Sequence, residues 1–188
     1  MTPRACWNCG RPPEDFHFCR RCDCLQPPAG DYFQYLGVSR KLVLAPADIE
    51  SHFYELSRRL HPDRFAQRPD RERLIAELAS ARLNDAYRTL RDRLRRAEYV
   101  LGLHGIQKKD HKGATPPELL EEMFELKARG GDSRALGRWL MLLSETDQAL
   151  DASFAEWDRD GSRAKLESIA ALLARRSYLA KTLQDLTP

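Results

Sequence analysis

The chain has 188 residues, 42% hydrophobic and 31% charged, with 31 Lys and Arg against 28 Asp and Glu. That length fits one ordinary domain or two small ones, and no apolar run approaches the ~20 residues of a membrane span. A net charge of +3 is too small for a protein that lives on nucleic-acid phosphates.

The charge is unevenly spread. From Pro116 onward 13 acidic residues stand against 10 basic, whereas residues 1–115 hold 15 acidic and 21 basic. A basic front and an acidic rear suggest surfaces for two partners. The start, Met1 to Cys6, has neither an apolar signal core nor an Arg/Ser-rich amphipathic stretch. The expected location is therefore a bacterial cytoplasm, ahead of the mitochondrial matrix, with no membrane and no nucleic acid as partner.

All five cysteines, Cys6, Cys9, Cys19, Cys22 and Cys24, lie in the first 24 residues. Cys6-Trp7-Asn8-Cys9 and Cys19-Arg20-Arg21-Cys22 are two C-x-x-C pairs, and four thiolates complete a closed tetrahedral zinc site. Gly10 directly after Cys9 suits the tight turn that aims backbone N–H groups at sulfur. Structural disulfides would be dispersed through the fold, and a redox C-x-x-C opens a helix after a strand, which neither flank allows. Residues 1–25 are thus expected to be a small module around a structural zinc held by Cys6, Cys9, Cys19 and Cys22. Cys24 and His17 are spare donors. With four ligands in place no coordination position is open, so such a zinc shapes the chain and does not catalyse.

Residues 26–30 read as a linker, with Pro27-Pro28 forbidding helix and Gly30 adding freedom. Beyond it every recognisable element is helical. Asp31 is placed to N-cap a short helix over 32–36 that Gly37 stops. A second helix starts near Ala45-Pro46, carries Ile49, Phe53, Leu56 and Leu60 on one face, and ends before Pro62. A third, from about Asp70 to Arg93, carries Ile75, Ala79, Leu83, Ala86 and Leu90 and pairs antiparallel with the second. A short fourth covers roughly 94–103. Residues 105–115 are polar and read as a hinge. From 116 to 188 the pattern predicts a bundle of three amphipathic helices. Leu119, Leu120, Met123 and Leu126 stripe its first helix. Leu136, Leu140, Leu143, Leu150, Phe154 and Trp157 stripe the second, and Leu166, Ile169, Leu173, Ala180 and Leu183 the third. Trp139 and Trp157 read as core. The fold class is all-α: a helical hairpin domain over 31–104 and a C-terminal three-helix bundle, behind the zinc knuckle.

The hairpin's apex is His61-Pro62-Asp63. Proline fixes the turn, so His61 and Asp63 project from a rigid end, with Arg58, Arg59 and Arg64 beside them. A basic helix ending in an exposed His and Asp suits docking to an acidic partner, Asp63 accepting from one specific Arg. It is a poor enzyme site, having no nucleophile and no catalytic metal.

Helix, His-Pro-Asp, helix, with Asn84-Asp85-Ala86-Tyr87-Arg88-Thr89-Leu90 in the second arm, resembles a J-domain. Asp31-Tyr32-Phe33 at its start and Arg96-Ala97-Glu98-Tyr99 running to Leu103-His104-Gly105 at its end resemble the HscB family of iron–sulfur cluster co-chaperones. So does the opening Cys-Trp-Asn-Cys, found in some members of that family. The resemblance implies a co-chaperone, not an enzyme. Its J-domain would dock on a DnaK/HscA-type ATPase chaperone through His61, Pro62 and Asp63 and trigger ATP hydrolysis, with Arg58, Arg59 and Arg64 contributing. Its bundle would hold the iron–sulfur scaffold protein. The family's scaffold-binding positions fall on Leu119, Leu120, Met123 and Tyr178. A bundle-core stripe would look the same at the first three, and the run Phe124–Ala128 departs from the family's acidic pattern. A J-domain protein with another client, a zinc-knuckle nucleic-acid binder and a thiol-redox enzyme are the competing readings.

Overall fold

Capping chemistry sets the first helix in the computed structural model, which describes residues 5–13, 15–106, 121 and 133–186. The Asp31 carboxylate accepts the Gln34 N–H at 2.9 Å and the Gln34 side chain accepts the Asp31 N–H at 3.2 Å, a reciprocal capping box for α1 (Tyr32–Leu36). Gly37, at φ 76°, closes it, and the Val38 N–H returns to the Phe33 carbonyl at 3.0 Å. Two histidines satisfy the carbonyls left at its end: His17 Nε2–H donates to Tyr35 O at 3.0 Å, and His52 Nδ1–H to Leu36 O at 3.2 Å.

Pro46 opens α2 (Pro46–Leu60), where its missing N–H costs nothing. The chain then turns through one 3-10 turn (Pro62–Phe65) into α3 (Asp70–Arg91). Ile49, Leu56 and Leu60 of α2 are buried, as are Ile75, Ala76, Ala79, Leu83, Ala86 and Leu90 of α3. Phe53 stacks on Tyr87 across the pair at 4.1 Å. Tyr35, 1% exposed, donates its hydroxyl to Ala79 O at 3.0 Å and ties α1 to α3. This is the antiparallel hairpin that the spacing predicts, and truncating Leu60 or Leu83 to Ala should cost about 2–5 kcal/mol.

The chain divides into two compact units, residues 1–92 and 93–188. Asp92, in extended geometry, ends α3, and α4 (Arg93–Leu103) belongs to the second unit. There α5 (Ser133–Asp160) and α6 (Arg163–Leu186) are joined by Gly161-Ser162. Gly161 lies at φ 64° and its N–H returns to Trp157 O at 2.8 Å. Leu150, Phe154 and Trp157 are buried on α5, and Leu166, Ile169, Leu173 and Leu179 on α6. α4 packs on α6. Arg93 Nη2 reaches Asp147 Oδ1 at 2.6 Å and Arg176 Nε reaches the same oxygen at 2.7 Å, so one carboxylate joins all three helices. Arg93 also pairs with Asp151.

One stripe assignment is corrected. Leu140 is 51% exposed, while its neighbour Trp139 is 2% exposed and donates its indole N–H to Leu179 O at 2.9 Å. The buried face of α5 therefore enters through Trp139 and Thr146 and joins the predicted stripe at Leu150, leaving Leu140 turned outward. The predicted first bundle helix, with Leu119, Leu120, Met123 and Leu126, lies outside the described residues. Among those described, no helix is long and apolar enough to cross a membrane.

Candidate functional site

The two C-x-x-C segments fold into equivalent knuckles. In each, the N–H four residues after the first cysteine returns to that cysteine's carbonyl: Gly10 N to Cys6 O at 2.9 Å, and Asp23 N to Cys19 O at 2.7 Å. Both closing residues are left-handed, Gly10 at φ 69° and Asp23 at φ 56°. Glycine takes that conformation freely and aspartate tolerates it.

The turns bring Cys6, Cys9, Cys19 and Cys22 together with all four Sγ atoms within 4.8 Å of one another. Cys6 and Cys22 sulfurs are 3.6 Å apart and Cys9 and Cys19 sulfurs 3.7 Å apart. A tetrahedron with metal–sulfur bonds of about 2.3 Å has edges of about 3.8 Å, so the donor set fits one metal ion. Gln26 Nε2 donates to Cys6 Sγ at 3.3 Å, a contact that steadies a thiolate. Burial works against ionisation of Cys6, but the backbone N–H groups of Cys9 and Asn8 outweigh it and hold the thiol down to about 6. The two spare donors stand outside the group: His17 is committed to Tyr35 O, and Cys24 Sγ accepts from Asn8 Nδ2 at 3.2 Å.

The cysteine segment packs closely on the helices of its unit. Trp7 Nε1–H donates to Leu25 O at 2.7 Å, and the Arg71 guanidinium lies over the Trp7 ring at 4.6 Å. Leu25 is fully buried, and its N–H donates to Glu72 Oε1 at 3.1 Å. Glu72, 3% exposed, lies in the first turn of α3, where a carboxylate suits the helix dipole. Replacing Glu72 by Leu should strand the buried Leu25 N–H and cost about 1–3 kcal/mol, while Glu72→Gln keeps an acceptor and costs less. Thermal melts and Leu25 amide exchange check this; equal protection of Leu25 in both variants would contradict it.

Asp15 supports the second knuckle by accepting the N–H of His17 at 2.8 Å and of Phe18 at 3.1 Å. Burial pushes its pKa up, but those two N–H groups and the nearby Arg59 prevail and hold it below the usual carboxylate range. The stabilisation is therefore present above the ordinary aspartate pKa of about 3.9 and is lost as the pH falls through the lowered value.

The hairpin's apex is built just as locally. His61 caps both the end of α2 and the start of the 3-10 turn, its Nδ1 accepting the Asp63 N–H at 3.3 Å. The Arg64 N–H returns to His61 O at 3.0 Å, and Phe65, 5% exposed, anchors the turn beneath. His61 Nδ1 stands 3.5 Å from Asp63 Oδ2, yet the two side chains are 55% and 89% exposed. The apex thus offers a rigid backbone with an imidazole and a carboxylate facing solvent. Arg58 and Arg64 are exposed beside it. Arg59 is engaged: it reaches Glu55 at 3.8 Å and Asp15 at 4.0 Å, and lies over the Phe18 ring at 5.3 Å. Sequence spacing gave no hint of that tie between the cysteine segment and the basic helix.

In the second unit Tyr178 is half-buried, its ring 6.3 Å from that of Trp139, and burial raises its pKa. Leu119, Leu120 and Met123 lie outside the described residues.

A DnaJ domain model matches residues 31–99, which hold the apex and both arms of the hairpin. The iron–sulfur cluster co-chaperone protein HscB homolog of Arabidopsis thaliana is 30% identical over 187 residues, covering 97% of this chain and 73% of that protein. The chain belongs to the HscB family. The human iron–sulfur cluster co-chaperone protein HscB is 41% identical over 108 residues, 54% of this chain and 46% of that protein, so the match spans about half of the human relative. The crystal structure of human co-chaperone protein HscB superposes with a TM-score of 0.78 at 27% identity, covering 97% of this chain and 96% of that one. The all-α fold of this chain is therefore that of an HscB protein, and this chain carries a four-cysteine cluster near its N-terminus.

Proposed function

We propose that this HscB-type chain is a two-partner adaptor for iron–sulfur cluster transfer. Its J-domain, residues 31–104, docks on a DnaK/HscA-type ATPase chaperone and stimulates ATP hydrolysis. The observation that carries this reading is the His61-Pro62-Asp63 apex: two polar side chains left exposed on a backbone held by a cap, a proline and a buried Phe65. Pre-organisation limits the ordering cost of docking. Arg58, Arg59 and Arg64 add the positive field that steers an acidic partner. The chemistry of hydrolysis belongs to the partner, and this chain acts as an activator.

The C-terminal bundle, residues 116–188 beyond the 105–115 hinge, holds the iron–sulfur scaffold protein through Leu119, Leu120 and Met123 together with Tyr178. The acidic balance of this half suits a partner distinct from the one drawn to the basic J-domain. Zinc is the metal of the cysteine cluster, since four thiolates at tetrahedral spacing are its preferred structural site. It fixes the two knuckles. The protein works in the cytoplasm of a bacterium.

Calorimetric titration of the full chain with the scaffold protein, and separately with the ATP-bound chaperone, tests the two-partner reading. One-to-one binding of each is expected, with Tyr178→Ala weakening only the scaffold. Failure to bind the scaffold would leave a J-domain protein with another client.

A further inference from the structure

The cysteine segment and the residues flanking the apex together wall a groove of about 380 Å³. Arg20, from the second knuckle, lines it from one side. Arg59 of α2, Arg64 of the 3-10 turn and Arg68 just before α3 line it from the other. Phe18 and Phe65 give it an aromatic floor, and among the described residues Asp15 and Asp23 are the carboxylates that line it. Among the described residues four guanidiniums and two carboxylates line the groove. Asp15 is already turned toward Arg59 and the backbone of its own turn. Arg64 and Arg68 are exposed, with no carboxylate at salt-bridge distance among the described residues.

Holding like charges around one cleft costs stability unless an anion returns the energy, and planar guanidiniums favour carboxylates. The aromatic floor adds apolar contact for the same segment. We propose that this groove is an extension of the chaperone-docking surface, receiving an acidic segment of the same ATPase chaperone that the His61-Pro62-Asp63 apex addresses, and that the cysteine knuckle acts in docking through Arg20. This rests on the J-domain reading above and adds a recognition role for the knuckle. The apex triggers and the groove grips, so the two are separable in kinetics.

The test is a titration of chaperone ATPase stimulation with the full chain, its Arg20→Glu/Arg68→Glu variant and its His61→Gln variant, at two salt concentrations. Reversing the two groove charges is expected to raise the half-saturating concentration about ten-fold at low salt while leaving maximal stimulation in place. The salt dependence of the variant should be weaker than that of the parent chain. His61→Gln is expected to do the opposite, lowering the maximum. Metal content verifies that the knuckle stays folded, and Arg68→Glu alone, away from the cysteines, should shift half-saturation in the same direction. An unchanged half-saturating concentration in the double variant overturns the groove while leaving the apex standing. A parent chain that stimulates nothing overturns the J-domain reading and the groove with it.

Discussion

His61→Gln is expected to abolish stimulation of the partner ATPase, by at least about ten-fold, without unfolding the chain. The imidazole is more than half exposed and buries no apolar surface in the core, so its replacement should change stability by no more than about 0.5 kcal/mol. Its intramolecular contacts are the Asp63 N–H at 3.3 Å and the Asp63 carboxylate at 3.5 Å, and a glutamine carbonyl serves the first of these. What glutamine lacks is an aromatic ring with a second nitrogen held at that place. Loss of one hydrogen bond to a charged partner group is worth about 1.5–3 kcal/mol, or a factor of about 10 to 150. Single-turnover ATP hydrolysis by the chaperone, with far-UV circular dichroism as the fold control, reads both sides of the prediction. A variant that stimulates like the parent would remove the apex from the mechanism.

Loss of the metal should have the second large effect. Cys6→Ser replaces a buried ligand with a hydroxyl that coordinates poorly, and a four-thiolate set reduced to three holds zinc far less tightly. Apparent binding energies of about 10–16 kcal/mol for structural zinc sites mean that the knuckles depend on it. The disorder should spread one step further than the cysteines. Trp7, His17 and Leu25 each make a hydrogen bond that bridges segments, the last two reaching Tyr35 and Glu72 of the helical part. Together with the burial of Leu25 these contacts are worth about 3–5 kcal/mol, which in a unit of this size lowers the melting temperature by roughly 10 °C or more. The hairpin keeps its own core, so helical content should survive. The expected result is metal release and loss of Leu25 amide protection while the circular dichroism at 222 nm is retained. Collapse of the helical signal would show the hairpin to depend on the knuckle, and an unchanged melt would show that the docking contacts carry no stability.

Much of this was legible in residue spacing because the determinants are local. The capping box needs only Asp31 and Gln34, the hairpin arms follow from 3.6-residue periodicity, and the two C-x-x-C pairs specify one tetrahedral donor set. The docking of the cysteine segment on the helices was not legible. It rests on polar contacts between residues far apart, such as Leu25 with Glu72 and His17 with Tyr35, and periodicity is blind to them. One signal was available. Glu72 stands three and four positions before Ile75 and Ala76, in register with the buried stripe of α3, and a carboxylate in that register is a buried acceptor awaiting a donor. His52, which carries no ligand spacing, turns out to cap α1 instead. In α5 the leucine count misled because Trp139, not Leu140, supplies the buried ring, and an indole with a partner carbonyl displaces a leucine one position away.

The reading as an adaptor stands or falls on coupling between its two ends. Steady-state ATP hydrolysis by the DnaK/HscA-type chaperone should be measured with this chain alone, with the iron–sulfur scaffold protein alone, and with both. Stimulation by the pair well beyond the sum of the separate effects, and lost in His61→Gln, is the predicted result. Stimulation by this chain that ignores the scaffold, or no stimulation at all, would contradict it.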